Sequence, residues 1–151
     1  IQTLLPYPVP INHLGLFREP TTLQPVEYYN NLPYSQPPQS PAHAAAATTT
    51  TTPASVTTNS AAATLAILLD PVIATGGTAE AAIQTLREWG VQRVLVISVL
   101  GSEPGLRRAA EEWPQGTELW VGAVDEEVDR KGMIKPGIGD VGDRLFLTLG
   151  K

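Results

Sequence analysis

Residues 65–78, LAILLDPVIATGGT, decide the fold. Five apolar residues open the stretch without a polar interruption, as in a parallel strand buried on both faces. Asp70 and Pro71 end that run, and a loop of small residues leads to Thr78, placed to cap a helix whose first turn carries Glu80. Strand, acid, glycine loop and helix together suit a phosphorylated sugar. Asp70 can accept hydrogen bonds from ribose hydroxyls at the carboxyl end of the strand, where α/β proteins place ligands. Backbone N–H groups of residues 75–78 can wrap a phosphate at the helix N-terminus, where orphan donors and the dipole both favour an anion. Gly76 and Gly77 permit close backbone approach and positive φ. The loop has no Lys, unlike a Walker A loop. Its anion affinity therefore rests on the backbone, the dipole and the hydroxyls of Thr75 and Thr78. A structural role for Asp70, capping the turn before Pro71, stands beside this one. A phospho-acceptor role does not, because the upstream acidic pair and downstream Lys that it requires are missing.

Downstream of the loop, Ala82, Ile83, Leu86 and Trp89 share one side of a helix over 78–89, and Gly90 is placed to end it. Residues 91–100, VQRVLVISVL, read as the next strand. Ser102 then serves as N-cap and Pro104 falls in the first turn of a helix running to about Trp113. A third strand covers 118–124. This alternation predicts an α/β fold with a mostly parallel sheet flanked by helices. Residues 125–132 are polar and read as helix or turn. Residues 133–142 contain one Pro and three Gly. They predict a looped excursion over the C-terminal edge of the sheet, closed by a strand at 144–148.

Upstream, residues 11–17 read as a short strand, 19–24 as a turn, and 26–32 as an extended arm in which Tyr28 and Tyr29 pack along the arm or an interface. Arg18 is the only basic residue before Arg87. It either offers a side-chain cation to a pyrophosphate or pairs with Glu19 or Glu27. From 35 to 64 the sequence has no charged residue and consists almost wholly of Ala, Thr, Pro and Ser with a few other polar residues. It cannot bury enough apolar area to offset its ordering entropy and predicts a disordered insertion.

That tract explains why only 17% of the 151 residues are charged, in a chain long enough for one domain. The net charge of −5, the pI of about 4.9 and the lack of a basic stripe argue against a nucleic-acid partner. With no cysteine, disulfides and thiolate metal sites are excluded. No apolar run reaches the roughly 18 residues of a membrane helix, and the start lacks a signal-peptide layout. A soluble, cytoplasmic protein without membrane contacts is expected. Ile1 falls in what reads as mid-domain sequence, which predicts a fragment.

Three segments in order resemble one family. DPVIATGGT (70–78) resembles the 5-phosphoribosyl-1-pyrophosphate (PRPP) loop of the type I phosphoribosyltransferases. GMIKPGIGDVGDRLF (132–146) is similar to the pyrimidine-binding segment of the uracil phosphoribosyltransferase branch. GLFREPTTLQPVEYYNNLP (15–33) resembles the strand and arm that precede the PRPP loop there. The resemblance implies a type I fold, incomplete at its N-terminus and hooded by the C-terminal segment. It implies the reaction of uracil with PRPP to give UMP and pyrophosphate. PRPP would be bound by Arg18, Asp70, Pro71, Ala74, Thr75, Gly76, Gly77 and Thr78. Uracil would be lined by Met133, Ile134, Gly139, Asp140 and Val141, with Val99 and Gly101 on the facing loop. A bent segment fixed by Gly and Pro can match the donors and acceptors of a neutral pyrimidine with main-chain groups alone. Asp70 and Asp140 are the catalytic candidates by the same resemblance. Asp140 sits where the family has an acid near the ribose and metal, so Mg²⁺ would be held mostly through PRPP. A GTP effector and a homodimer or homotetramer are further implications. The family often carries an aromatic residue at the position of Met133. Its pyrophosphate-binding Arg-Ala-Gly loop has no counterpart in these 151 residues. Weak or no turnover by this chain alone is therefore expected. The alternative is a non-catalytic PRPP- or nucleotide-binding module, a sensor or an assembly subunit. No covalent nucleophile stands out, and His13 reads as a strand residue, packed or exposed, rather than a catalytic one.

Overall fold

A computed structural model describes residues 3–19, 22, 25–33 and 63–147. Strands β1 (Leu14–Arg18) and β2 (Pro25–Asn30) pair antiparallel as a hairpin. Phe17 and Tyr28 meet across it with ring centroids 6.0 Å apart. Strand β3 (Leu65–Leu69) and the two-residue strand β4 (Val72–Ile73) follow, separated by Asp70 and Pro71. Helix α1 (Gly77–Trp89), strand β5 (Arg93–Ser102), helix α2 (Glu103–Glu112) and strand β6 (Thr117–Asp125) complete the α/β body. Beyond it lie the short strands β7 (Glu127–Val128) and β8 (Ile134–Lys135), then helix α3 (Val141–Phe146).

The sheet is parallel throughout. One edge of β5 pairs with β3, from Leu65 opposite Arg93 to Leu69 opposite Ile97, and then with β4, Val72 opposite Leu100. Its other edge pairs with β6, from Val94 opposite Thr117 to Ser102 opposite Asp125. Alternation along these strands sends Val94 and Val96 to one face, where Ile73, Ala79, Ile83, Leu86 and Ala109 bury them. Both long helices lie on that face. Arg108 on α2 joins them by reaching Glu80 on α1, with Nε 2.6 Å from the carboxylate. The opposite face carries Leu65, Ile67, Leu69, Ile97, Val99 and Trp120, all exposed. The expectation that β3 is buried on both faces is thus corrected: among the described residues helices cover a single face.

The hairpin leans on α1. Trp89 Nε1 donates to the Pro33 carbonyl at 2.7 Å, and Leu32 packs against the core. Gly90 ends α1 as expected, at φ 102° with its N–H directed to the carbonyls of Arg87 and Leu86. The helix begins earlier than its sequence suggests. Gly76, at φ 77°, is the N-cap and makes no side-chain cap bond, so Thr78 lies inside the first turn. Strand β5 runs two residues later than expected at both ends. The predicted strand at 144–148 is instead α3 over Val141–Phe146, because Asp140 caps it by accepting a hydrogen bond from the Asp143 amide at 3.0 Å. The polar stretch before the hood, expected as helix or turn, holds β7, pairing Glu127 with Lys135 and Val128 with Ile134, and then the turn at 130–131, where the Gly132 amide donates to the Asp129 carbonyl at 2.9 Å. Residues 35–62 of the predicted insertion lie outside the described residues.

Candidate functional site

A cleft of about 270 Å³ opens at the carboxyl end of the sheet. Its floor comes from the break between β3 and β4. The Asp70 amide still donates to the Ile97 carbonyl at 3.2 Å, so the strand line is kept up to the acid. Pro71 then turns its carbonyl to the Val99 and Leu100 amides and to the Ser98 hydroxyl, at 3.1, 3.3 and 3.2 Å. Asp70 is left half-buried at the cleft wall, followed by Val72, Ile73 and the loop residues Ala74, Thr75 and Gly76. Thr78 and Ala79 continue the wall along the first turn of α1. The first backbone N–H groups of a helix have no intrahelical acceptor, and here they border the cleft with the positive end of the dipole.

The opposite wall is the C-terminal excursion. Gly132, Met133, Ile134, Ile138, Gly139, Asp140 and Val141 line it. Two side-chain carboxylates, beside the short β7–β8 ladder, hold this segment in shape. Asp129 Oδ1 accepts from the amides of Lys131 at 2.8 Å and Met133 at 2.9 Å. Asp125, at the end of β6, accepts from the Gly137 amide at 2.9 Å and so ties the excursion to the sheet. Ile134 is buried, and Leu100 of β5 closes the floor between the two walls.

The electrostatics are one-sided. The charged residues lining the cleft are Asp70 and Asp140, with no Lys or Arg among the described lining. Burial holds the Asp70 carboxyl above its ordinary value, and a hydrogen bond from the Val72 amide offsets part of that rise. The Met133 amide holds Asp129 below its ordinary value, reinforced by the Lys131 amide and by the charges of Lys135 and Lys131. Among the described residues no three His, Asp or Glu side chains converge as a metal cage.

The structure brings most of the sequence-predicted residues together. Asp70, Ala74, Thr75, Gly76 and Thr78 face Met133, Ile134, Gly139, Asp140 and Val141 across one space. Pro71 lies behind the wall with its carbonyl engaged by β5, and Gly77 is buried against Arg108 of α2. Val99 is 69% exposed on the sheet face away from the helices and does not line the cleft. Gly101 is buried beside Leu106 and does not line it either. Strand alternation explains both: at this point of β5 it is the side chain of Leu100 that reaches the cleft. Arg18 closes β1, opposite Pro25 in the hairpin. Sequence reasoning missed Val72, Ile73, Ala79, Leu100, Gly132 and Ile138. Val72, Ile73, Gly132 and Ile138 lie within segments already singled out by their motifs, whereas Ala79 and Leu100 lie outside them.

Comparison with known proteins gives this geometry a context. A family model described as uracil phosphoribosyltransferase matches residues 1–148. The Schizosaccharomyces pombe protein urg2, provisionally named a uracil phosphoribosyltransferase, is 44% identical over 138 residues, covering 91% of this chain and 54% of its own length. A uracil phosphoribosyltransferase of Thermus thermophilus is 36% identical over 138 residues, again covering 91% of this chain and 54% of the relative. The solved structure of the AQ2163 protein from Aquifex aeolicus superposes with a TM-score of 0.66 at 30% identity, over 89% of this chain and 52% of that one. The chain thus spans about half the length of the curated relatives it matches.

Proposed function

The chain belongs to the uracil phosphoribosyltransferase family and has the corresponding α/β fold, and on that premise we propose that its cleft binds uracil and PRPP and serves their conversion to UMP and pyrophosphate. The observation that carries the reading is the juxtaposition of two unlike walls. One is a helix N-terminus with a small-residue loop and a half-buried carboxylate. The other is a bent main-chain segment with apolar side chains. The first suits a ribose 5-phosphate, the second a neutral planar base.

In this reading the amides of residues 75–78 hold the 5-phosphate, and Asp70 accepts from the ribose hydroxyls. Met133, Ile134, Gly139 and Val141 enclose the base and present backbone groups to its edge. Bond breaking at the ribose C1 builds positive charge on the sugar ring, and the carboxylates of Asp70 and Asp140 flank that position. Catalysis is then chiefly orientation and electrostatic stabilisation. Mg²⁺ would neutralise the leaving diphosphate. The carboxylate of Asp140 on the cleft lining fits an oxygen-ligated ion carried mainly by the substrate, with Asp140 as its protein oxygen. A GTP effector, a cytoplasmic setting and a homodimer or homotetramer of the complete protein belong to the same reading. The β1–β2 hairpin is the arm through which copies would meet, since Phe17, Tyr28 and Tyr29 on it are exposed. No described helix is long and apolar enough to cross a membrane.

A second reading is favoured by the cleft lining, which holds two carboxylates and no described cation. A diphosphate leaving group lacks a protein counter-charge there. The chain would then bind the nucleotide without turnover, as a sensor or assembly module. Radiolabelled uracil incubated with the chain, PRPP and Mg²⁺ separates the readings, with UMP binding followed in parallel by calorimetry. UMP formation assigns the transferase. Binding of UMP without turnover assigns the module. Absence of binding removes both.

A further inference from the structure

The phosphate loop does not stand alone; it rests on the first turns of α2. Ser102, the N-cap of that helix, is fully buried. Its hydroxyl accepts from the Gly105 amide at 3.0 Å and donates to the Ala74 carbonyl at 2.5 Å. Gly105 lies so close to the loop that a β-carbon there would collide with the Ala74 carbonyl oxygen. The contact is reciprocal, because a β-carbon on Gly76 would collide with the Gly105 carbonyl oxygen. One turn further along α2, Arg108 binds Glu80, and a β-carbon on Gly77 would lie 3.3 Å from its guanidinium. Residues 102, 105 and 108 therefore form one stripe of α2, and residues 74, 76, 77 and 80 are pressed onto it.

We propose that Ser102 is a positioning residue for the phosphate group of the ligand, acting through Ala74. The inference rests on the ribose-phosphate reading of the cleft. By fixing the Ala74 carbonyl toward α2, the hydroxyl turns that oxygen away from the cleft. A carbonyl facing an anion repels it, whereas an amide attracts it, so the orientation of this peptide decides the sign of the local field. Satisfied by Ser102, the Ala74 oxygen has no need of water or of rotation toward the ligand. The left-handed turn at Gly76 can then lead directly into the first amides of α1. The hydrogen bonds described for the Ser102 hydroxyl run to the Ala74 carbonyl and from the Gly105 amide, on the phosphate side of the cleft, so its influence falls on the phosphate and not on the base.

That separation supplies the test. The affinities of the chain for UMP and for uridine, which differ by the phosphate alone, are measured by calorimetry before and after Ser102→Ala. Losing one hydrogen bond at the loop is expected to reduce the UMP-over-uridine preference by about five- to tenfold, while uridine affinity stays within about twofold. A merely structural role would lower both affinities together. An unchanged preference in a variant whose thermal melt shows a folded chain would overturn the inference and leave the site reading intact. No preference for UMP in the unmodified chain would overturn the ribose-phosphate reading, and this inference with it. Should Ser102→Ala fail to fold, Gly105→Ala disturbs the same contact from the other side and must lower the same ratio for the inference to survive.

Discussion

Replacing Asp70 by Asn removes a charge and leaves the shape of the side chain nearly unchanged. In the folded chain, burial raises the carboxyl above its ordinary value of 3.8, and the hydrogen bond from the Val72 amide recovers part of the cost. The folded protein therefore takes up this proton more readily than the unfolded chain does. The resulting stabilisation is complete below the unfolded value and is lost as pH rises through the raised folded value. At neutral pH the ionised carboxylate is a net burden on stability, kept at the wall of the cleft. Asp70→Asn should consequently be no less stable than the unmodified chain at pH 7, and its stability should rise less on acidification through the range just above 3.8. Binding should move the other way. A hydrogen bond from a ligand hydroxyl to a charged acceptor contributes about 1.5–3 kcal/mol, so UMP affinity should fall roughly ten- to hundredfold. Urea denaturation at pH 4 and pH 7, beside calorimetric titration with UMP, reads both quantities. A variant destabilised at pH 7 that binds UMP as before would refute the reasoning, since Asp70 would then be a turn cap and nothing more.

Gly76→Ala forces a side chain into a left-handed conformation against the Gly105 carbonyl; a loss of about 2 kcal/mol or more in denaturation, with UMP binding abolished, is expected. The excursion should respond to acid in the sense opposite to Asp70. The Met133 amide lowers the Asp129 carboxyl, so its contribution is present above 3.8 and fades as pH falls through the lowered folded value. Protection factors of the Met133 and Lys131 amides, taken relative to the intrinsic exchange rate at each pH, should fall in that window, and Asp129→Ala should show the lower protection already at pH 7; protection independent of both is the contrary result.

How much of this was legible depends on where the signal resides. Helix α1 was readable because Ala82, Ile83 and Leu86 follow its period and Gly90 carries the left-handed cap. Its start was misplaced because Gly76 caps through its backbone turn, which leaves no mark of a capping side chain, while the adjacent Thr78 looks like one. The apolar run of β3 gave the strand but not its surroundings. Alternation buries Ala66 and Leu68 against the helices and leaves Leu65, Ile67 and Leu69 outside, and a run of identical character cannot show which face is covered. Helix α3 was missed although Asp140 and Asp143 stand at capping spacing, because the apolar residues 145–147 suggested a strand. Both walls of the cleft were found through motifs. Leu100, which lies between them, carries no motif and is placed only by the sheet register, opposite Val72.

The central claim is that one cleft holds a pyrimidine ribonucleotide between the loop after β3 and the C-terminal excursion. A ¹H–¹⁵N correlation titration of the 151-residue chain with UMP tests it most directly. Saturable shifts, with a single dissociation constant, are expected at the amides of Thr75, Gly76 and Thr78 together with those of Ile134, Gly139 and Val141. Shifts confined to one of the two segments, or none that saturate, would contradict it.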